Sequence, residues 1–171
     1  IKENYSALPV IAGGVHITNA ADIVLKEGRS IDFISLYESD HSLPNLLDFV
    51  NQKNSDEYLS QLATLIDDEY VAFKKRDVPN SEDLNVIPDY SELPIGKYDS
   101  LGEIGTFRYW RPKGSKATSV LYNRGCRARC TFCSVRNFNG DAVRSRSPES
   151  VVDEIEELVI KYGISHFTWL D

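Results

Sequence analysis

Three cysteines lie within eight residues of each other, in the spacing Cys126-x3-Cys130-x2-Cys133. Thiolates are the usual ligands of iron–sulfur clusters. Three of them on one loop can take three corners of a cubane. The chain has no fourth Cys, so one iron would be left without a thiolate. An open metal position can accept the amino and carboxylate groups of a small molecule. An odd cysteine count cannot be consumed by intramolecular disulfides, and such short spacings in a chain without a secretion signal favour metal binding or redox chemistry.

The charge around these cysteines fits that chemistry. Between Arg108 and Arg146 there are ten Lys or Arg and one acid, Asp141, while the remainder carries nine basic and 25 acidic residues. Arg124, Arg127 and Arg129 interleave with the cysteines. Cationic neighbours stabilise thiolates and offset the negative charge of a thiolate-bound cluster. The same basic run also fits a nucleic-acid surface. A zinc site is a second alternative, with Cys126, Cys130, Cys133 and one His as ligands. However, His16, His41 and His166 lie in separate segments, without the close pairing of zinc motifs.

The elements that must position the loop can be read from patterning. Thr118–Tyr122 predicts a strand that leads directly into the cysteines. Ser147 predicts a helix cap, with Pro148 at the first helical position and Glu149 in the first turn. Val151, Val152, Ile155, Leu158, Val159 and Tyr162 form the expected apolar stripe. Asp153, Glu154, Glu156 and Glu157 form the expected wet face, and Gly163 ends the helix. Residues 164–170 predict the next strand, completing a βαβ unit.

Upstream, Pro9–Ala12 predicts a buried strand that stops at Gly13-Gly14. Asn19 offers a cap to a helix over residues 20–27, ended by Gly28. Residues 31–36 predict a second buried strand. Ser42 and Pro44 open a further helix, with Leu43, Leu46, Leu47 and Val50 on one face. This alternation predicts the C-terminal half of a doubly wound, Rossmann-like α/β domain. Residues 59–66 and 70–73 flank Asp67-Asp68-Glu69 and fit a hairpin better than one helix, because Tyr70–Phe73 has strand composition. Pro79, Pro88 and Pro94 punctuate a linker, and Thr106–Trp110 is strand-like. The expected division is a partial α/β domain over 1–53, a linker with a hairpin over 54–117, and a second domain from 118 to 171.

The bulk numbers bound the rest. The chain has 171 residues, 42% hydrophobic, with a net charge of −7, so a packed core is expected. No apolar run approaches the ~20 residues needed to span a bilayer, and no signal peptide opens the chain. The default expectation is a cytoplasmic location. The chain has no Met, opens on Ile1 and closes on Asp171 directly after an apolar run. We read it as an internal piece of a longer protein.

The run Asn123-Arg124-Gly125-Cys126-Arg127-Ala128-Arg129-Cys130-Thr131-Phe132-Cys133 resembles the cluster loop of the radical S-adenosylmethionine (SAM) superfamily. Arg144–Glu149 with its helix, and Phe167–Asp171, are similar to that family's first helix and second strand. The resemblance implies a partial TIM-like barrel, beginning with the first βαβ unit, and a 4Fe-4S cluster on the three cysteines. It further implies reductive cleavage of SAM to a 5′-deoxyadenosyl radical. Phe132 and Arg136 would lie near the bound SAM.

Residues 10–18, 31–36 and 42–50 are similar to the C-terminal half of the cobalamin-binding domains that precede the barrel in one large branch, and 84–90 to the joining segment. That branch implies cobalamin-assisted methyl transfer, with Gly13, Gly14 and His16 on the cobalamin side and His16 not assigned to cobalt. The family's Gly-Glu-Gly-Glu-like run is replaced here by Tyr37-Glu38-Ser39-Asp40. Implied partners are a small-molecule or lipid-like substrate ahead of nucleic acid, and an electron donor such as flavodoxin or ferredoxin. A cobalamin-independent tRNA methylthiotransferase is the alternative within the superfamily. A non-enzymatic zinc module is the alternative outside it.

Overall fold

The computed structural model describes residues 1–28, 30–97, 112 and 114–170. The strand-like stretch Thr106–Trp110 lies outside them. The chain forms two compact α/β units, and each is interrupted in sequence. One comprises residues 1–79 and 125–142, the other 80–124 and 143–171.

The first unit is built on a four-stranded sheet in the order β1-β2-β3-β4. Strand β1 (Ile11–Gly13) pairs in parallel with β2 (Phe33–Ser35), and helices α1 (Val15–Asn19) and α2 (Ala21–Glu27) connect them. Helix α3 (Ser42–Val50) follows. The chain then adds the antiparallel hairpin β3 (Leu62–Ile66) and β4 (Glu69–Phe73). Asp67 and Asp68 both adopt positive φ, 51° and 63°. A two-residue link with that backbone matches the twist of the flanking strands, which explains why the hairpin forms rather than one helix. Residues read from sequence as part of a linker therefore extend this sheet.

Side-chain alternation buries both faces of the sheet. Ile34 and Ala63 pack with Leu25 and Ala21 on one side. Phe33, Leu62 and Phe73 pack with Leu46 and Phe49 on the other. A sheet covered on both faces needs near-continuous apolar strands, as β2 and β3 supply.

Two local expectations are corrected. Asn19 does not cap α2; its Nδ2 donates to the Val15 carbonyl oxygen at 2.7 Å, closing α1, and Ala20 stands at the α2 cap position. Gly28 does end α2 as expected, at φ −88° rather than in a left-handed turn. The buried face of α3 carries Ser42, Leu46 and Phe49, while Leu43, Leu47 and Val50 are exposed. Ser42 turns inward beside Ser35, with the two hydroxyl oxygens 3.4 Å apart, and this rotates the expected stripe.

The cysteine segment completes the first unit. Cys126 N–H donates to the Gly140 carbonyl at 3.4 Å, so the loop closes on itself. Gly125 sits at φ +91°, and a Cβ there would lie 2.0 Å from the Ala142 carbonyl oxygen. Only glycine fits that closure, for conformational and steric reasons together. The loop ends in the short helix α4 (Val135–Asn139).

The second unit holds β5 (Ala117–Leu121), the two-residue strands β6 (Asn123–Arg124) and β7 (Arg144–Ser145), helix α5 (Pro148–Tyr162) and β8 (His166–Leu170). Strands β5 and β8 are parallel, and α5 crosses between them as the expected βαβ unit. Ser147 Oγ accepts from Ser150 N–H, Pro148 opens the helix, and Gly163 closes it at φ 66°. Val151 and Leu158 bury against Val120, Ile95 and Ile164. Strands β6 and β7 pair antiparallel, Asn123 with Ser145 and Arg124 with Arg144, at the two points where the chain leaves for the cysteine segment and returns.

The wet face of α5 is corrected at one position. Glu154 is only 2% exposed, whereas Val152 and Val159 of the expected stripe are exposed. Glu154 forms a buried ion pair with Arg146, which is 6% exposed, and accepts a hydrogen bond from the Tyr90 hydroxyl. Burial, and then that hydrogen bond, push the Tyr90 hydroxyl pKa well above its ordinary value. Arg146 also donates to the Leu121 carbonyl at 3.3 Å and to Ser150 Oγ at 2.9 Å. The pair thus pins the helix to the end of β5 and to the Tyr90 segment.

Two outcomes follow from these contacts. Replacing Glu154 by Ala strands a buried guanidinium and is predicted to cost about 3–5 kcal/mol in urea unfolding. The paired Arg146→Met and Glu154→Met variant recovers most of that loss, and equal destabilisation of single and paired variants would contradict the ion-pair account. Replacing Gly125 by Ala forces the loop open. Alkylation of half-buried Cys126 in the metal-free protein should then accelerate roughly tenfold, as for a strained closure of about 1–3 kcal/mol released. A wild-type rate would contradict the steric argument.

Candidate cluster site

The three cysteines reach one cavity because of how their loop closes. Cys126 follows the Gly125 turn on the outgoing limb. Cys133 N–H donates to the Cys130 carbonyl at 3.2 Å, which folds the returning limb into a turn before α4. All three cysteines are unpaired, Cys126 half-buried and the other two exposed. Together they line a cavity of about 560 Å³, with Arg76, Arg129, Arg136, Asn137 and Asp141 among the other lining residues.

The donor set fits a cubane. Each thiolate of a cluster binds a different iron, so the sulfurs surround a volume rather than converge on one point. Among the described residues no three His, Cys, Asp or Glu are placed to hold a single metal ion. No fourth cysteine exists in the chain. The cavity therefore offers three cysteine sulfurs and no fourth.

The positive surround is smaller than residue counting suggests. Arg146 belongs to the buried pair with Glu154. Arg136 Nη2 donates to Asp141 Oδ2 at 3.0 Å, and this bond holds the Asp141 carboxyl below its usual range. Arg136 lines the cavity, as a contact to a bound group requires, but it does so already engaged with Asp141. Arg129 also lines the cavity, and its charge acts on Asp141 as well.

The remaining site residues are dispersed. Phe132 is 91% exposed and is not among the residues lining the cavity. Gly13 ends β1, where a Cβ would make ordinary contact with Ser35 at 3.5 Å. Gly14 follows at φ +103° with open space around it. His16 lies exposed on α1. None of these three lines the cysteine cavity.

Arg76 is a lining residue that the sequence reading did not single out. Its Nη2 donates to the carbonyls of Asn137 and Phe138, at 3.1 and 2.8 Å. Its guanidinium carbon stands 4.4 Å from the centroid of the Tyr37 ring. Arg76 and Asn137 are 61 positions apart, so no local pattern connects them.

The family model of the Radical SAM superfamily matches residues 120–171. An anaerobic magnesium-protoporphyrin IX monomethyl ester cyclase from Cereibacter sphaeroides is 33% identical over 165 residues, which cover 94% of this chain and 25% of that protein. An uncharacterised methyltransferase from Pyrococcus horikoshii is 28% identical over 162 residues, covering 95% of this chain and 33% of the relative. The chain thus spans a quarter to a third of these relatives.

Among solved structures, the radical SAM methyltransferase TsrM from Kitasatospora setae, with cobalamin and a [4Fe-4S] cluster bound, superposes with a TM-score of 0.67 at 19% identity. That likeness covers 95% of this chain and 31% of TsrM. The cobalamin-dependent SAM radical enzyme OxsB superposes with a TM-score of 0.64 at 21% identity over 94% of this chain and 20% of OxsB. At these identities the likeness establishes a shared fold. The family match runs from the end of β5 through β8 and takes in the three free thiols on one cavity, so residues 120–171 of this chain match the radical SAM superfamily.

Proposed function

We propose that this chain carries the cluster-binding beginning of a radical SAM enzyme of the cobalamin-binding branch. The observation that carries the reading is the cavity on which Cys126, Cys130 and Cys133 meet without a fourth thiolate. The three thiolates would hold a 4Fe-4S cluster, leaving one iron for the amino and carboxylate groups of SAM. When bound, the cluster supplies the electron that cleaves the C5′–S bond of SAM to give a 5′-deoxyadenosyl radical. The protein's share is placement and electrostatics. Gly125 closes the loop, Cys126 anchors one limb, and the Cys130–Cys133 turn presents the other two sulfurs. Arg129 and Arg136 offset negative charge at the cavity wall. Phe132, exposed and between the second and third cysteines in sequence, would lie near the adenine.

The α/β fold of the first unit supports a cobalamin site there. In open α/β sheets, ligands bind beyond the C-terminal ends of the strands. Gly13 and Gly14 lie at that end of β1, and the space around Gly14 would let a large ring approach the backbone. His16 is a candidate contact on the same turn, not a cobalt ligand. Cobalamin would supply the methyl group in methyl transfer, and a small molecule is the expected substrate class. The βαβ unit of β5, α5 and β8 is read as the opening of a TIM-like barrel, whose catalytic face lies at the strands' C-terminal ends. An electron donor of the flavodoxin or ferredoxin type and a cytoplasmic setting complete the proposal.

Anaerobic reconstitution with iron and sulfide tests the reading. Wild-type protein should take up about four irons and sulfides per chain, and the Cys126→Ala, Cys130→Ala, Cys133→Ala triple variant close to none. Equal iron in both would remove the assignment. One zinc per chain and no iron in anaerobically purified protein would replace it with the zinc-module reading.

A further inference from the structure

The run Tyr37-Glu38-Ser39-Asp40 follows β2, and its contacts lie within the first unit. Tyr37 adopts φ 62°, an uncommon conformation for an aromatic residue. Its backbone N–H is held by Thr18 Oγ1 at 3.1 Å. The next residue, Glu38, is buried, and its carbonyl accepts from the side chain of buried Gln61 at 2.8 Å. Gln61 is itself held at φ 53°, and its Oε1 accepts from Asp77 N–H at 3.0 Å. The turn after β2 is therefore fixed from two sides, by Thr18 and Gln61, and through Gln61 it is linked to the residue that follows Arg76.

This turn faces the helix that ends the cysteine loop. Asn139 Nδ2 donates to Glu38 Oε1 at 2.8 Å. Asn137 Nδ2 donates to Asn19 Oδ1 at 3.1 Å. Arg76 completes the set, with its planar cation against the Tyr37 ring and its Nη2 bonded to two carbonyls of α4. Lysine would keep the charge but not the planar guanidinium, which stands over the Tyr37 ring while one of its nitrogens reaches both carbonyls. The same guanidinium lines the cavity on which the cysteines meet.

We infer that Tyr37, Glu38 and Arg76 form a latch that positions the cysteine loop, with Arg76 as the positioning residue at the cavity wall. The inference rests on the cluster reading above and adds to it a role for residues outside the cysteine motif. Held through α4, the loop would keep its three sulfurs at cluster spacing before iron arrives. The nearby fixed charge would also act on a bound cluster, since outer contacts of a metal site orient its ligands and tune the metal.

The test uses the full-length protein reconstituted anaerobically with iron and sulfide. Release of iron to a chelator and the electron paramagnetic resonance spectrum of the reduced protein are recorded for wild type, Arg76→Ala, Arg76→Lys, Tyr37→Leu and Asn139→Ala. Arg76→Ala should release iron at least about tenfold faster than wild type, the scale for loss of an outer contact at a metal site. It should also change the spectrum. Arg76→Lys should restore the spectrum in part and leave the release fast, because charge returns without the planar guanidinium that spans Tyr37 and α4. Tyr37→Leu and Asn139→Ala should accelerate release without altering charge at the cavity. Should Arg76→Ala fail to fold by far-ultraviolet circular dichroism, the other three variants decide. Wild-type release and spectra in every folded variant would overturn the latch while leaving the cluster assignment standing. Absence of iron in wild type would instead remove the assignment on which the latch rests.

Discussion

Closure of the cysteine loop at Gly125 is the constraint on which the rest depends. Three sulfurs on eight residues face a common volume only if the chain doubles back within that stretch. The Cys130–Cys133 turn supplies that reversal, the backbone bond from Cys126 to Gly140 closes the longer segment around it, and the approach of Ala142 to Gly125 leaves no room for a side chain. Every other feature of the site is a consequence of holding that closed loop still. Strands β6 and β7 pair where the chain enters and leaves it. At its far end, α4 is tied by three side chains that come from distant parts of the sequence.

The electrostatics divide into structural and site roles. A run of basic residues suggests a uniformly positive surround for the cysteines. In the folded chain its members separate. Arg146 neutralises a buried carboxylate, Arg136 is engaged with Asp141, and Arg129 stays at the cavity wall. Arg76, from outside the run, joins them. The positive character of the cavity thus depends on a few placed guanidinium groups rather than on net charge. That is the condition under which single substitutions there should have measurable effects.

What could be read from sequence was whatever local chemistry determines. Ser147, Pro148 and Gly163 mark the ends of α5 because caps act within one turn. The strands on either side of α5 were recognisable from apolar runs, and the hairpin from the Asp67-Asp68 link between strand-forming residues. The three cysteines were recognisable because their spacing is itself the chemistry. Errors arose where a distant partner decides. The face of α3 rotates to admit Ser42 beside Ser35, and Glu154 turns inward because Arg146 and Tyr90 meet it there. Arg76 was invisible for the same reason, since its acceptors lie some sixty residues away on another element. The run Tyr37-Glu38-Ser39-Asp40 is plain in the sequence, but the contact that Glu38 makes with α4 appears only in the fold.

The most direct test of the central claim is whether SAM itself binds the iron that lacks a thiolate. Full-length protein, reconstituted and reduced, should give the paramagnetic signal of a one-electron-reduced 4Fe-4S cluster. Addition of SAM labelled with ¹⁷O or ¹³C at its carboxylate should shift that signal and introduce hyperfine coupling from the label. A cluster signal that SAM leaves unchanged and uncoupled would contradict the account, because all four irons would then be held without an open position for SAM.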